Sequence, residues 1–183
     1  MLESLPTLEF PALETPRLRL RRHRVDDFPA CRSLWGDAEV TRYIGGRPLS
    51  QEDAWLKFLR NAGHWALVGF GFWVLEEKSS GAFAGEIGIS YFFRDLDPPV
   101  ENLREAGWVL AASMHGKGYA TEAVQAALAW SDVRFSDPRT LCLIHPENYH
   151  SLRVAEKCGF REWRPASYKG EPCILFLRTP GLP

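Results

Sequence analysis

Apolar and polar positions change period several times along this chain, and the changes mark out its elements. Leu18 and Leu20 alternate with arginines in "RLRLRR", a period of two that predicts a strand with one wet face. Two acids then precede the apolar spacing of "VDDFPACRSLWGD", which predicts a short helix. The helical signal is fuller in "LSQEDAWLKFLRNAG": Ser50 is the N-cap with Asp53 three residues on, Trp55, Leu56 and Leu59 form the apolar face, and Gly63 is the stop. "GFGFWVLEE" and "AFAGEIGISYFF" are aromatic and β-branched runs joined by the turn "KSSG", which predicts a hairpin. After the proline-containing excursion "RDLDPPVENL" come a strand in "REAGWVLAAS", a helix from about Gly118 to Val133 and a strand in "TLCLIHP". A helix from about Asn148 to Lys157 follows, ended by Gly159, and "FREWRPASYKGEPCILFLR" closes with a strand pair.

This order of elements predicts a mixed α/β fold of the α+β kind. The length, 183 residues, suits a single domain spanning residues 1–183, with Met1 to Pro16 as a loosely held lead-in. Hydrophobic residues at 45% and charged residues at 25% fit an ordinary globular protein, and the net charge of -1 argues against a general nucleic-acid binder. Cys31, Cys142, Cys158 and Cys173 are scattered without C-x-x-C spacing or a paired histidine cluster, so neither a metal site nor a disulfide framework is expected. Prolines and acids near the N-terminus do not fit a signal peptide, and no apolar run approaches membrane-spanning length. A cytoplasmic location is expected.

The run "MHGKGYATEAVQAALAW" carries the chemistry. Gly116 and Gly118 allow a tight turn and close approach of the backbone to a ligand. The helix behind them has Ala120, Ala123, Val124, Ala127 and Leu128 on one face, and its first turn offers unpaired N–H donors and a partial positive charge. An anion such as a phosphate fits such a turn, with Lys117 adding charge. The spacing excludes a P-loop, since the run before Lys117 lacks the first glycine, and a dinucleotide fingerprint, since its third position falls on Thr121.

The same stretch, "GWVLAASMHGKGYATEA", resembles motif A of the GNAT superfamily of acetyl-CoA-dependent N-acetyltransferases, whose loop pattern is [RQ]-x-x-G-x-[GA]. His115 stands where Arg or Gln is usual, and Gly118 and Ala120 match. Downstream, "HPENYHSLRVAEKCGF" is similar to the second motif of the RimJ/RimL-like branch, and the resemblance spans Thr15 to Arg178. It implies a central mixed, mostly antiparallel twisted sheet, with two parallel strands that splay apart and helices on its flanks.

Acetyl-CoA is then the expected co-substrate, with no metal. The resemblance implies that its pantetheine arm pairs with backbone near Val109 and Leu110, and that its pyrophosphate sits on His115, Gly116, Lys117, Gly118, Tyr119 and Ala120. Asn148 reads by position as an N-cap, and by resemblance as a pantetheine contact. Ser151 is by resemblance the acid that protonates the departing thiolate, a role that asks little of it because a thiol has a pKa near ~8.5. Glu105 is the first candidate for the base that deprotonates the amine, with Glu86 and His145 as second choices. Proximity of amine and thioester, and main-chain N–H groups near Val109, supply further rate. Trp55, Trp65, Trp73, Trp108, Tyr43 and Phe92 are possible walls of the amine pocket, and Asp95, Asp97 and Glu101 would suit a cationic acceptor at its mouth. The expected partner is an amine, either a protein N-terminus or a small molecule, with no nucleic acid or membrane, and with the chain a monomer or homodimer. A non-catalytic acyl-CoA-binding module of the same fold is the rival reading.

Overall fold

The computed structural model describes residues 10–100 and 102–181. Among those residues, nine strands form one sheet in the order β1-β2-β3-β4-β6-β7-β9-β8-β5. These are β1 (Leu13–Glu14), β2 (Leu18–Arg21), β3 (Phe72–Glu77), β4 (Phe83–Ser90), β5 (Leu96–Asp97), β6 (Arg104–Leu110), β7 (Thr140–Ile144), β8 (Arg161–Tyr168) and β9 (Glu171–Arg178). Every neighbouring pair is antiparallel except β6 with β7, so the sheet is mixed and mostly antiparallel, as expected. The helices are α1 (Phe28–Trp35), α2 (Ala38–Thr41), α3 (Gln51–Val68), α4 (Tyr119–Arg134) and α5 (Tyr149–Lys157). Among the described residues, no helix is long and apolar enough to cross a membrane.

The alternation at the start of the sheet works as its sequence suggests. Leu18 and Leu20 are fully buried, while Arg19 and Arg21 on the other face share the Glu76 carboxylate. Residues 10–16 are not a loose lead-in: β1 pairs with β2, and the Trp73 indole N–H donates to the Pro11 carbonyl at 2.8 Å. The rest of the expected lead-in, residues 1–9, lies outside the described residues.

Helix α3 departs from its expected face and end. Ser50 caps it as expected, its hydroxyl accepting the Asp53 N–H at 3.0 Å. The buried stripe, however, is Ala54, Phe58, Asn61 and Trp65, whereas Leu56 and Leu59 are 57% and 46% exposed. That stripe runs at the helical spacing of three and four residues. Gly63 does not stop the helix, because Trp65 lies beyond it and packs edge-on against Trp73 at 4.9 Å. The chain turns instead at Gly69, whose left-handed φ of 75° lets its N–H close on the Trp65 carbonyl. With this length α3 carries Lys57 and Arg60 alongside the sheet, which matters for the site.

Candidate functional site

Strands β6 and β7 pair in parallel only at Arg104–Thr140 and Glu105–Leu141, then diverge. The β4 ladder holds β6 straight from Glu105 to Leu110, and the β9 ladder holds β7 from Thr140 to Ile144, so neither strand can bend to close the gap. Backbone groups on the two facing edges are left without ladder partners, a costly state unless something fills the space. A cavity of about 650 Å³ opens there. Ala106 to Val109 line one wall and Cys142 to His145 the other, with Asn148 and Ser151 at the start of α5 above them.

The glycine loop lies outside this cavity, next to Leu110. Gly116 and Gly118 have φ of 75° and 80°, left-handed values that confirm why glycine stands at both positions. Gly118 is the N-cap of α4, and no side chain among the described residues caps that helix, which leaves its first-turn N–H groups open to a ligand there. The surroundings are pinned: Arg17 donates to the Lys117 carbonyl at 2.8 Å, and the Tyr119 hydroxyl donates to Glu77 at 2.5 Å. The exposed His115 ring sits 3.0 Å from the Leu110 carbonyl. Lys117 is 3.6 Å from Glu77, which draws part of its charge inward.

Of the acid and base candidates, Ser151, Glu105 and His145 reach the cavity, as does Asn148, the expected pantetheine contact. Asn148 caps α5 by accepting the Ser151 N–H at 3.2 Å. Glu105 is buried, and both its oxygens are held by Arg94 at 2.7 Å in a two-pronged ion pair. This two-pronged pairing occupies one acceptor position on each carboxylate oxygen and fixes the guanidinium against it. His145 stacks near Tyr43, and its Nδ1 accepts the Glu147 N–H at 3.2 Å, which leaves the proton of the neutral ring on Nε2.

Glu86 does not line the cavity. It is 1% exposed and accepts from Trp35 Nε1 at 2.6 Å, His23 Nε2 at 2.6 Å and Asn61 Nδ2 at 3.1 Å. Burial pushes its carboxyl up, but the bonds from His23 and Trp35 outweigh this and hold it below the usual carboxylate range. With Cys31 and His23 it forms a group whose ligand atoms lie within 4.8 Å of one another. That donor set suits hydrogen bonding better than a metal, because N–H donors already point at both Glu86 oxygens and burial keeps the Cys31 thiol protonated.

The aromatic walls are partly as expected. Tyr43, Phe92 and Trp108 line the cavity, whereas Trp65 and Trp73 are core residues and Trp55 stacks on Phe58 away from it. Asp95 and Asp97 do not line it, and Glu101 lies outside the described residues. Sequence reasoning missed Trp35, Lys57, Arg60 and Arg94, all of which do. The spacing of Lys57 and Arg60, three apart beside the true buried stripe of α3, is the signal that would have found two of them.

Residues 17–161 match the family model described as an acetyltransferase (GNAT) domain. The chain is 30% identical to the uncharacterized N-acetyltransferase YnaD of Bacillus subtilis over 152 residues, covering 81% of this chain and 82% of that protein. It superposes on a GnaT-family protein from Bordetella pertussis with a TM-score of 0.80 at 32% identity, over 93% of this chain and 100% of the other. Its fold also matches a spermidine N-acetyltransferase from Vibrio cholerae, solved with CoA and spermine, with a TM-score of 0.70 at 19% identity over 90% and 96% of the two chains.

Proposed function

Since this chain belongs to the GNAT acetyltransferase family, we propose that it transfers an acetyl group from acetyl-CoA to a primary amine by direct attack in a ternary complex. The observation that carries this reading is the two-residue pairing of β6 and β7 followed by an open, lined gap. Main-chain groups around Val109 and Leu110 are the natural partners for the pantetheine amides, with Asn148 beside them. The free N–H groups at the start of α4, with the loop from His115 to Ala120, suit the pyrophosphate. CoA in the Vibrio cholerae relative's crystal supports the same use of this frame. The run from Asn148 to Phe160 supports a place among the RimJ/RimL-like enzymes.

Acetyl-CoA supplies the acyl group already activated as a thioester. The chain's contribution is to hold that carbonyl beside β6, exclude water and deliver the amine, which converts a bimolecular attack into a local one. In this reading Ser151, half-buried at the cavity and free of side-chain partners among the described residues, returns a proton to the sulfur. Glu105 acts through Arg94, whose guanidinium it fixes at the cavity wall. The test is calorimetric titration with CoA, followed by thioester consumption with a panel of amines. Binding at micromolar CoA with turnover of at least one amine is expected. No binding at millimolar CoA would end the reading, and binding without turnover of any amine would leave only an acyl-CoA-binding module.

A further inference from the structure

Charge in the cavity is lopsided. Among the described residues, five cationic side chains line it (Arg42, Lys57, Arg60, Arg94 and Lys169) against two carboxylates, Glu105 and Glu171. Arg94 is matched by Glu105, and Glu171, like Lys169, is exposed at the β8–β9 turn. Lys57 and Arg60 form no ion pair with any described residue. The acid nearest in effect, Glu86, is committed to Trp35, His23 and Asn61.

These cations are nevertheless held in place. The Lys57 ammonium sits 3.8 Å over the Trp35 ring, Arg60 lies 5.7 Å from the Phe92 ring, and Arg94 is 4.3 Å from Phe92 and 4.8 Å from Tyr168. Aromatic faces fix a cation without cancelling its charge. Burial and the neighbouring Arg60 bring the Lys57 amine down to about 8, and Arg60, though its residue is exposed, is lowered by partial desolvation of its guanidinium and by Arg94. The cofactor phosphates do not answer this charge, because no residue from His115 to Ala120 lines the cavity.

We infer that the acceptor is a small amine that also carries a carboxylate or phosphate, its anion held by Lys57 and Arg60 and its amine turned toward the gap between β6 and β7. The inference rests on the acetyltransferase reading and narrows it. It also replaces the cationic acceptor that Asp95, Asp97 and Glu101 suggested. The same positive field disfavours a bound ammonium, so the amine enters as the free base, and the clamped Glu105 need not serve as proton acceptor. The free amine then forms the new C–N bond to the acyl carbon, the C–S bond breaks, and the amine's surplus proton leaves with the thiol formed on CoA.

The experiment compares kcat/KM for free α-amino acids with their carboxamides, and for phosphoethanolamine with ethanolamine, alongside spermidine. Neighbouring carboxylates make an amine more basic and so less often free, which biases the assay against the inference. The anionic member of at least one pair should be preferred by roughly 10- to 100-fold, the worth of one or two charge-assisted hydrogen bonds. Lys57→Met and Arg60→Gln should each shrink that preference through KM. Amine-free carboxylates or phosphates should compete with the acceptor on the unaltered protein, an assay that needs no variant to fold. Turnover of carboxamides or spermidine at equal or better efficiency would overturn the inference while leaving the acetyltransferase standing. CoA binding without turnover of any amine would overturn both.

Discussion

Glu86→Gln tests how the core sets up the cavity. The carboxylate accepts three N–H groups, from Trp35, His23 and Asn61, all inside the protein. Glutamine keeps the size but offers a single acceptor oxygen, and its own NH₂ must face at least one of those donors. A stripped buried donor costs about 1–3 kcal/mol, and the surviving bonds lose their charge assistance. Relief of carboxylate burial works the other way. The balance is readable from the direction of the Glu86 titration: burial raises its carboxyl, yet the bonds leave it lowered, so the folded protein prefers the charged form. A net loss of about 2–4 kcal/mol follows, a large part of the roughly 5–15 kcal/mol that a domain has. In urea, with a slope of about 2 kcal/mol per molar, the midpoint should fall by about 1–2 M. The sign of the pH dependence is fixed too. A lowered carboxylate contributes stability above its ordinary value of 4.5 and loses it as pH falls through the lower folded value, so the two proteins should converge in acid. Trp35 also floors the Lys57 ammonium, so acceptor KM should rise while CoA affinity holds. A midpoint within about 0.3 M of the unaltered protein, or a gap that persists unchanged in acid, would refute the reasoning.

Three further outcomes are expected. Glu105→Gln should leave the rising limb of the pH–rate profile in place and lower KM for an anionic acceptor, because it removes the charge that answers Arg94; loss of that limb with kcat would make Glu105 the base after all. Ser151→Ala should lower kcat by about tenfold with an acetyl thioester and by less with a thioester whose thiol is more acidic, since acid help matters less there. A deficit that does not depend on the leaving group would remove Ser151 from that step. Finally, KM for an anionic acceptor should climb above pH about 8, where the free protein's Lys57 loses its charge. A KM flat to pH 9 would show that Lys57 does not hold the anion.

How far the sequence foretold this depends on how local each cause is. The β3–β4 and β8–β9 hairpins, the glycine loop and the Ser50 and Asn148 caps each depend on a few adjacent residues, and all formed where the spacing put them. The buried face of α3 was misread because Trp55, Leu56 and Leu59 are apolar, whereas which residues face inward is decided by Trp65 meeting Trp73 across the core. Glu105 was legible as an acid at the right strand position, but its Arg94 partner is eleven residues away, on an excursion whose path no local rule dictates. Lys57 and Arg60 looked like the solvated side of a helix, and on α3 alone they would be. What turns them into a binding surface is the rotation of α3 that the Trp65 anchor imposes, which brings both cations over Trp35 and Phe92 at the open end of the sheet. Loops and caps made by a few adjacent residues can therefore be read from glycines and cap residues, while the acceptor surface we infer, built from side chains on separate elements, appears only once the helix register is known.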